Sequence, residues 1–243
     1  MPIRTPIETG EIYHVINRGV DKRKIFMKTQ DHLRFILGLY FFNDANTQNI
    51  WENLQYKKED IHAILATPDL AKDPAKEFGD ERERLVDLLA FTIMPNHYHL
   101  IIREIRARGL SQFMQKMGGY TLYFNKQNNR VGPLFQGRYK AVHIKNEDQL
   151  RTAFVYVHTN PVELKEPSWK EWKVKDGLAA LTHLEKYRWS SYRDYIGMPT
   201  FPAVTQRTFF TDFFGGEKEC KQAVEDWILF KAENATFDRK QFE

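Results

Sequence analysis

The chain has 243 residues, 42% of them apolar and 28% charged, the balance of a soluble globular protein with room for one large domain or a core domain with an appendage. No stretch approaches the ~18 to 20 apolar residues of a membrane span, and Met1-Pro2-Ile3-Arg4-Thr5-Pro6 lacks an apolar signal region. The one cysteine, Cys220, excludes an internal disulfide framework and a cysteine-based zinc site, so a cytoplasmic protein is expected.

The net charge of +4 says little, but its distribution says more. Between Ile105 and Asn146 there is no Asp or Glu, whereas Arg106, Arg108, Lys116, Lys126, Arg130, Arg138, Lys140 and Lys145 fall there. Chance alone would put roughly 5 or 6 acids in that window. A positive field of this kind is the footprint of a phosphate-rich partner, with a solvated basic face as the plainer alternative.

In chain order, Glu11 to Gly19 alternates as a strand, with Ile12, His14 and Ile16 on one face and Tyr13, Val15 and Asn17 on the other. Asp31 is the expected N-cap of a helix running to about Phe42, and Leu33, Ile36, Leu37 and Tyr40 recur at helical spacing. Residues 44 to 84 are polar, interrupted by Pro68 and Pro74, and are expected to be a partly helical insertion. Val86 to Ile93 and His97 to Glu104 form a hairpin around Pro95-Asn96. Leu110 to about Asn125 is a helix with an apolar stripe, and Gly118-Gly119 in its middle implies a kink or close backbone approach. After the turn-rich Gln127 to Pro133, Gly137 to Lys145 reads as a strand with Arg138, Lys140 and Val142 on one face. A helix starts at Asn146 or Glu147 and stops near Asn160, because Pro161 disfavours helical backbone in the residue before it. Beyond Leu164 the pattern weakens, with two short helices expected around Gly215-Gly216. The order strand, helix, strand, strand, helix, strand, helix indicates an antiparallel α+β sheet of ferredoxin-like type with helices on one face.

Chemistry concentrates at His97 and His99. Two residues apart on a strand, they face the same way and Tyr98 the other, so the two imidazoles can share a metal ion. Such pairs arise by chance about 0.26 times in a chain of this composition, and the pair lacks a nearby Cys, Asp or Glu. A further ligand must come from elsewhere in the chain. On the helix ending at Asn160, Leu150, Ala153, Phe154 and Val157 form the packing stripe. Tyr156 falls at the edge of that stripe and Asn160 lies one turn on, so a phenol and a carboxamide are presented side by side. The plainer reading is a boundary tyrosine and a helix-ending asparagine.

Four motifs in one order resemble the REP-associated tyrosine transposases of the single-tyrosine HUH transposase superfamily. They are Met94-Pro95-Asn96-His97-Tyr98-His99-Leu100, Leu134-Phe135-Gln136-Gly137-Arg138-Tyr139-Lys140, Tyr156-Val157-His158-Thr159-Asn160-Pro161-Val162 and Tyr187-Arg188-Trp189-Ser190-Ser191-Tyr192. Asn17-Arg18-Gly19 also fits the family's opening strand, and the resemblance covers about residues 10 to 196. It implies a metal-dependent single-strand DNA endonuclease and strand transferase on the HUH endonuclease fold. His97, His99 and Asn160 would hold Mg2+ or Mn2+, and Tyr156 would be the nucleophile that leaves a 5′-phosphotyrosine. The bulky Tyr98 between the histidines and the 44 to 84 insertion depart from the family's pattern.

The expected organisation is a catalytic domain over residues 1 to 164 and a mostly helical extension over 165 to 243. Hairpin or single-stranded DNA would lie along Arg18, Arg106, Arg108, Lys126, Arg130, Arg138 and Lys140, on a monomer or homodimer with no obligatory protein partner and no membrane. The competing readings are an idle DNA-binding regulator on the same fold and a phosphodiesterase that forms no covalent tyrosine link.

Overall fold

The structure, a computed structural model, describes residues 6–46, 82–171 and 174–233. Four strands form one antiparallel sheet: β1 (Ile12–Arg18), β2 (Val86–Met94), β3 (His97–Glu104) and β4 (Lys140–Ile144). Their order is β2-β3-β1-β4, with β3 and β1 central. Helix α1 (Thr29–Phe41) links β1 to β2. Helices α2 (Gly109–Met117) and α3 (Tyr120–Gln127) link β3 to β4. Helix α4 (Glu147–Thr159) follows β4, and α5 (Gly177–Lys186), α6 (Tyr192–Tyr195), α7 (Arg207–Phe214) and α8 (Glu217–Glu233) complete the described residues. This is the α+β, ferredoxin-like element order expected from the sequence.

Alternation along the strands produces two cores. Tyr13, Val15, Phe91, Ile93, Tyr98, Leu100 and Ile102 face α1, α2 and α3 through Phe35, Leu39, Phe113 and Phe124. The opposite face carries Ala90, Ile101 and Ile144 against Phe154 and Val157 of α4, and the same cluster takes in Tyr195, Phe210, Val224 and Ile228 of the later helices. The crossover helices therefore share one face, as expected, but the second face is covered too. The one-face expectation omits α4 and everything after it: a sheet face carrying apolar residues must be covered, and the helices following β4 supply the cover. Residues beyond Leu164 thus share one apolar cluster with the sheet.

Local details depart from the sequence reading in four places. Asp31 sits inside α1 rather than capping it, and its carboxylate accepts from the backbone N–H groups of Met27 and Lys28 at 2.8 and 2.9 Å. An acidic side chain in the first turn satisfies free N–H groups as a cap would. The single helix expected from Leu110 to about Asn125 is divided into α2 and α3 at Gly118-Gly119, where the sequence implies a kink or close backbone approach. Strand β4 starts at Lys140, three residues later than expected, because Asn17 Nδ2 donates to the Gly137 carbonyl at 3.1 Å and Gln136 N–H to Arg18 O at 2.9 Å, pinning the approach as a loop. Helix α4 ends where expected, but Asn160 keeps helical angles (φ −52°, ψ −38°) and the chain continues as a 3-10 turn over Asn160–Leu164. What Pro161 removes is an N–H, so the α ladder gives way to a tighter turn.

Most of the expected insertion, residues 47 to 81, lies outside the described residues. Its two stems meet: Ala45 N–H donates to Glu83 O at 2.8 Å and Glu83 N–H to the Asp44 carboxylate at 3.2 Å. Buried Asn43 clasps the start of β2, accepting from Leu85 and Val86 N–H, both at 3.0 Å, and donating to Val86 O at 2.8 Å. The core therefore passes from α1 into β2 as though uninterrupted.

The outer edge of β2 is closed from far along the sequence. Ile93 N–H donates to Trp189 O at 2.8 Å and Ser191 N–H to Phe91 O at 3.0 Å, while Thr92 and Ser190 form an isolated antiparallel bridge. The Tyr187 hydroxyl donates to Ile93 O at 2.6 Å. The aromatic and serine motif at 187–192 thus supplies the hydrogen bonds an edge strand lacks.

Candidate active site

His97 and His99 open β3 and face the second core, side by side with Arg18 and Ile16 of β1 and with Met94 and Thr92 of β2. Both are nearly inaccessible, at 3% and 1% exposure. Their rings are 5.0 Å apart, centre to centre, and nearly perpendicular at 82°. His97 Nδ1 lies 2.6 Å from the Asn96 side-chain oxygen, and Asn96 Nδ2 donates to Lys22 O at 3.2 Å. A carbonyl oxygen only accepts, so His97 carries a proton on Nδ1, and the neutral ring then has its lone pair on Nε2. His99 Nδ1 lies 2.8 Å from Nε2 of His14 on β1.

Helix α4 brings the other two groups. Its start is fixed by Asn146, whose side chain accepts from Gln149 N–H at 2.9 Å, and Glu147 and Asp148 favour the positive end of the helix dipole. Its apolar stripe seats it across the histidine-bearing face. Tyr156 then falls at the edge of the cover, 37% exposed, with its ring edge-on to His99 (5.4 Å between centres, 89°) and to His14 (5.7 Å, 77°). A phenol packed on one side and open on the other can meet a substrate from solvent.

Asn160 is fully buried one turn on. Its Nδ2 donates to the Tyr156 carbonyl at 2.6 Å, which turns Oδ1 the other way. That oxygen is buried without a hydrogen-bond partner among the described residues. A buried amide oxygen left without a donor costs about 1 to 3 kcal/mol. A bound cation would satisfy it. No group of three or more His, Cys, Asp or Glu able to hold a metal ion occurs among the described residues. A cation would therefore rest on two imidazoles and one amide oxygen, a mixed set that suits Mn2+ better than Mg2+ and leaves coordination positions for phosphate and water. The donor set fits the metal expected from the resemblance.

The expected DNA contacts divide by position. Arg18 stands beside His97 in the register, and its Nε is buried with no hydrogen-bond partner among the described residues. Lys140 is exposed on the same sheet face, opposite Ile16. Arg138, also exposed, lies on the loop that docks against the end of β1. These three cations lie toward the histidine end. Arg106 and Arg108 follow the far end of β3, with roughly 23 Å of strand between His97 and Glu104. Arg106 is paired with Glu83 at 2.8 Å, and Arg108 holds left-handed backbone (φ +62°) at the start of α2. Arg130 folds onto its own loop, donating to Asn125 Oδ1 at 2.7 Å and to Pro133 O at 2.5 Å. Lys126 is exposed near the end of α3. The acid-free stretch is thus contiguous in sequence but spread over the fold.

The sequence reading placed His14 on the correct face of β1 but gave it no role. Register is what it lacked, because His14 meets His99 diagonally across the β1–β3 pair. Burial pushes its pKa down to about 4, so the ring is neutral at physiological pH.

The site thus consists of a histidine pair on a central strand of a ferredoxin-like antiparallel sheet, beneath a helix that carries tyrosine and asparagine one turn apart. Residues 76–160, the segment holding His97, His99, Tyr156 and Asn160, match the family model described as IS200-like transposase. Among solved structures, a REP-associated tyrosine transposase bound to a REP hairpin is similar, at 15% identity and a TM-score of 0.44 over 84% of this chain and 90% of that one. No curated protein matches the chain. Among the described residues, no helix is long and apolar enough to cross a membrane.

Proposed function

We propose that the protein is a metal-dependent single-stranded DNA endonuclease and strand transferase, acting at hairpin-associated sites through Tyr156. The observation that carries this reading is the meeting of a part-exposed phenol with one member of the histidine pair: the Tyr156 ring lies against His99, with Asn160 and its unpartnered oxygen one turn away. His97, His99 and Asn160 would hold Mn2+ or Mg2+. The chemistry such a cation supplies is polarisation of the scissile phosphate and compensation of charge growing on its oxygens.

The remaining work falls to the protein's own residues. Tyr156 Oη attacks phosphorus, a new P–O bond forms to the tyrosine, and the bond to the 3′ oxygen breaks. The phenol proton is lost to solvent and the departing 3′ oxygen gains one, leaving a 5′-phosphotyrosine and a free 3′-hydroxyl. A free phenol has a pKa near 10, so the attack benefits from nearby positive charge, which Arg18 supplies beside His97. Arg138 and Lys140 track phosphates of the bound strand. The phosphotyrosine bond conserves the energy of the broken one, so a second DNA end reverses the step without ATP.

Incubation of the protein with single-stranded hairpin oligonucleotides and Mn2+, followed by mass spectrometry, tests the reading. A DNA adduct on Tyr156 is expected, and Tyr156→Phe should abolish it while leaving hairpin binding within about twofold. Metal-dependent cleavage with no tyrosine adduct would instead mark a phosphodiesterase that uses water. Hairpin binding with neither cleavage nor adduct would mark a DNA-binding regulator.

A further inference from the structure

We propose that His14 is a positioning residue of this site: it fixes the tautomer of His99 so that Nε2 presents its lone pair, and it forms one wall of the seat in which the Tyr156 ring rests. The inference rests on the functional reading above and extends it to a residue outside the four motifs.

The geometry gives His14 two contacts at once. Its Nε2 lies 2.8 Å from His99 Nδ1, and the two rings are nearly parallel, 5.0 Å between centres and 17° between planes. The Tyr156 ring meets both edge-on, at 5.7 Å from His14 and 5.4 Å from His99. One side chain thus touches a proposed metal ligand and the proposed nucleophile together. Its strand neighbours cannot substitute, since Ile101 and Val142, which flank it in the register, have no hydrogen-bonding side chain.

The proton bookkeeping follows from the contact. For His99 Nε2 to offer a lone pair, the ring proton must sit on Nδ1, which then donates to His14 Nε2. His14 must therefore accept at Nε2 and keep its own proton on Nδ1. His97 is held the same way by the Asn96 oxygen. Each histidine of the pair has its own orienting acceptor, one adjacent in sequence and the other 85 residues away on β1. Such orienting partners typically contribute 10- to 100-fold in metal affinity.

Nitrogen-15 NMR of histidine-labelled protein without metal reads the tautomer directly, and Mn2+ titration reads affinity independently of cleavage. In the wild type His99 should be protonated on Nδ1. In His14→Phe, which keeps a ring but loses the acceptor, the Nε2–H form should gain population and Mn2+ affinity should fall about 10- to 100-fold. His14→Gln, which restores an acceptor oxygen, should recover most of both. A wild-type His99 protonated on Nε2, or a His14→Phe protein with unchanged tautomer, overturns the proposal. So does a loss in His14→Phe that His14→Gln fails to restore while both variants melt like wild type. If the wild type binds no Mn2+ and forms no Tyr156 adduct, the functional reading fails, and the tautomer measurement still decides the role of His14.

Discussion

Asn160 illustrates how far a single side chain constrains the site. Its amide is oriented by one bond to the Tyr156 carbonyl, so the proposed nucleophile and the proposed third ligand share a helical turn and a hydrogen bond. Asn160→Ala removes an oxygen with no described donor along with one ordinary bond, and these contributions oppose each other. The variant is expected to melt within a few degrees of wild type while binding Mn2+ about 10- to 100-fold more weakly. Calorimetric melting and metal titration check the two halves separately. At this scale the sequence was informative about faces and spacing: the two histidines share a face, and Tyr156 and Asn160 share a side of the helix. Contacts between strands were beyond it, because His14 reaches His99 only in the realised register, and a slip of one residue would turn its side chain to the other face.

At the level of elements, periodicity carries most of the information where an element has one buried stripe. All four strands, α1 and α4 were legible for that reason, while α5 was not. Leu178 of that helix is 71% exposed although Ala180 is buried, so the apolar residues do not trace one stripe and the helical period is blurred. The α6 region is held by another feature invisible to periodicity, the buried carboxylate of Asp194. It accepts from Thr200 N–H at 2.5 Å and Phe201 N–H at 3.0 Å. Burial raises its pKa from 3.8 to about 6, against the opposing pull of those N–H groups and of Arg207 and Arg193. Between about pH 4 and 6 the unfolded chain has released a proton that the folded protein retains. Folding stability from this group is therefore full below the unfolded pKa and declines as pH rises through about 6, by on the order of 2 to 3 kcal/mol. Urea unfolding of wild type and Asp194→Asn at pH 4.5 and 7 is expected to show that decline in the wild type and a flatter profile in the variant.

For the whole molecule, the decisive feature is that α5, α6, α7 and α8 all contribute to the second core. Phe154 of α4 packs against Tyr195, Phe210 and Phe214 with ring centres 4.6 to 5.2 Å apart. Lys231 of α8 lies 3.9 Å over the ring of buried Trp169. A chain cut after Leu164 is expected to lose its cooperative melting transition and to bind a hydrophobic dye, because the α4 cover would lose its own outer packing. Calorimetry and dye fluorescence against the full chain test this. The sequence conveyed the element order of the sheet but not this mutual dependence, since α7 and α8 read by themselves as short helices with no stated partner. The closing of the β2 edge by residues 189–191 also has a consequence in time. Phe91 and Ser191 are 100 positions apart. On a ribosome adding ~5 to 20 residues per second, the edge of β2 therefore waits roughly 5 to 20 s for its partner to be synthesised. Throughout that interval a nascent chain carries an open strand edge of mostly apolar residues, and the burden of keeping neighbouring nascent chains from pairing with it falls on whatever shields the emerging polypeptide.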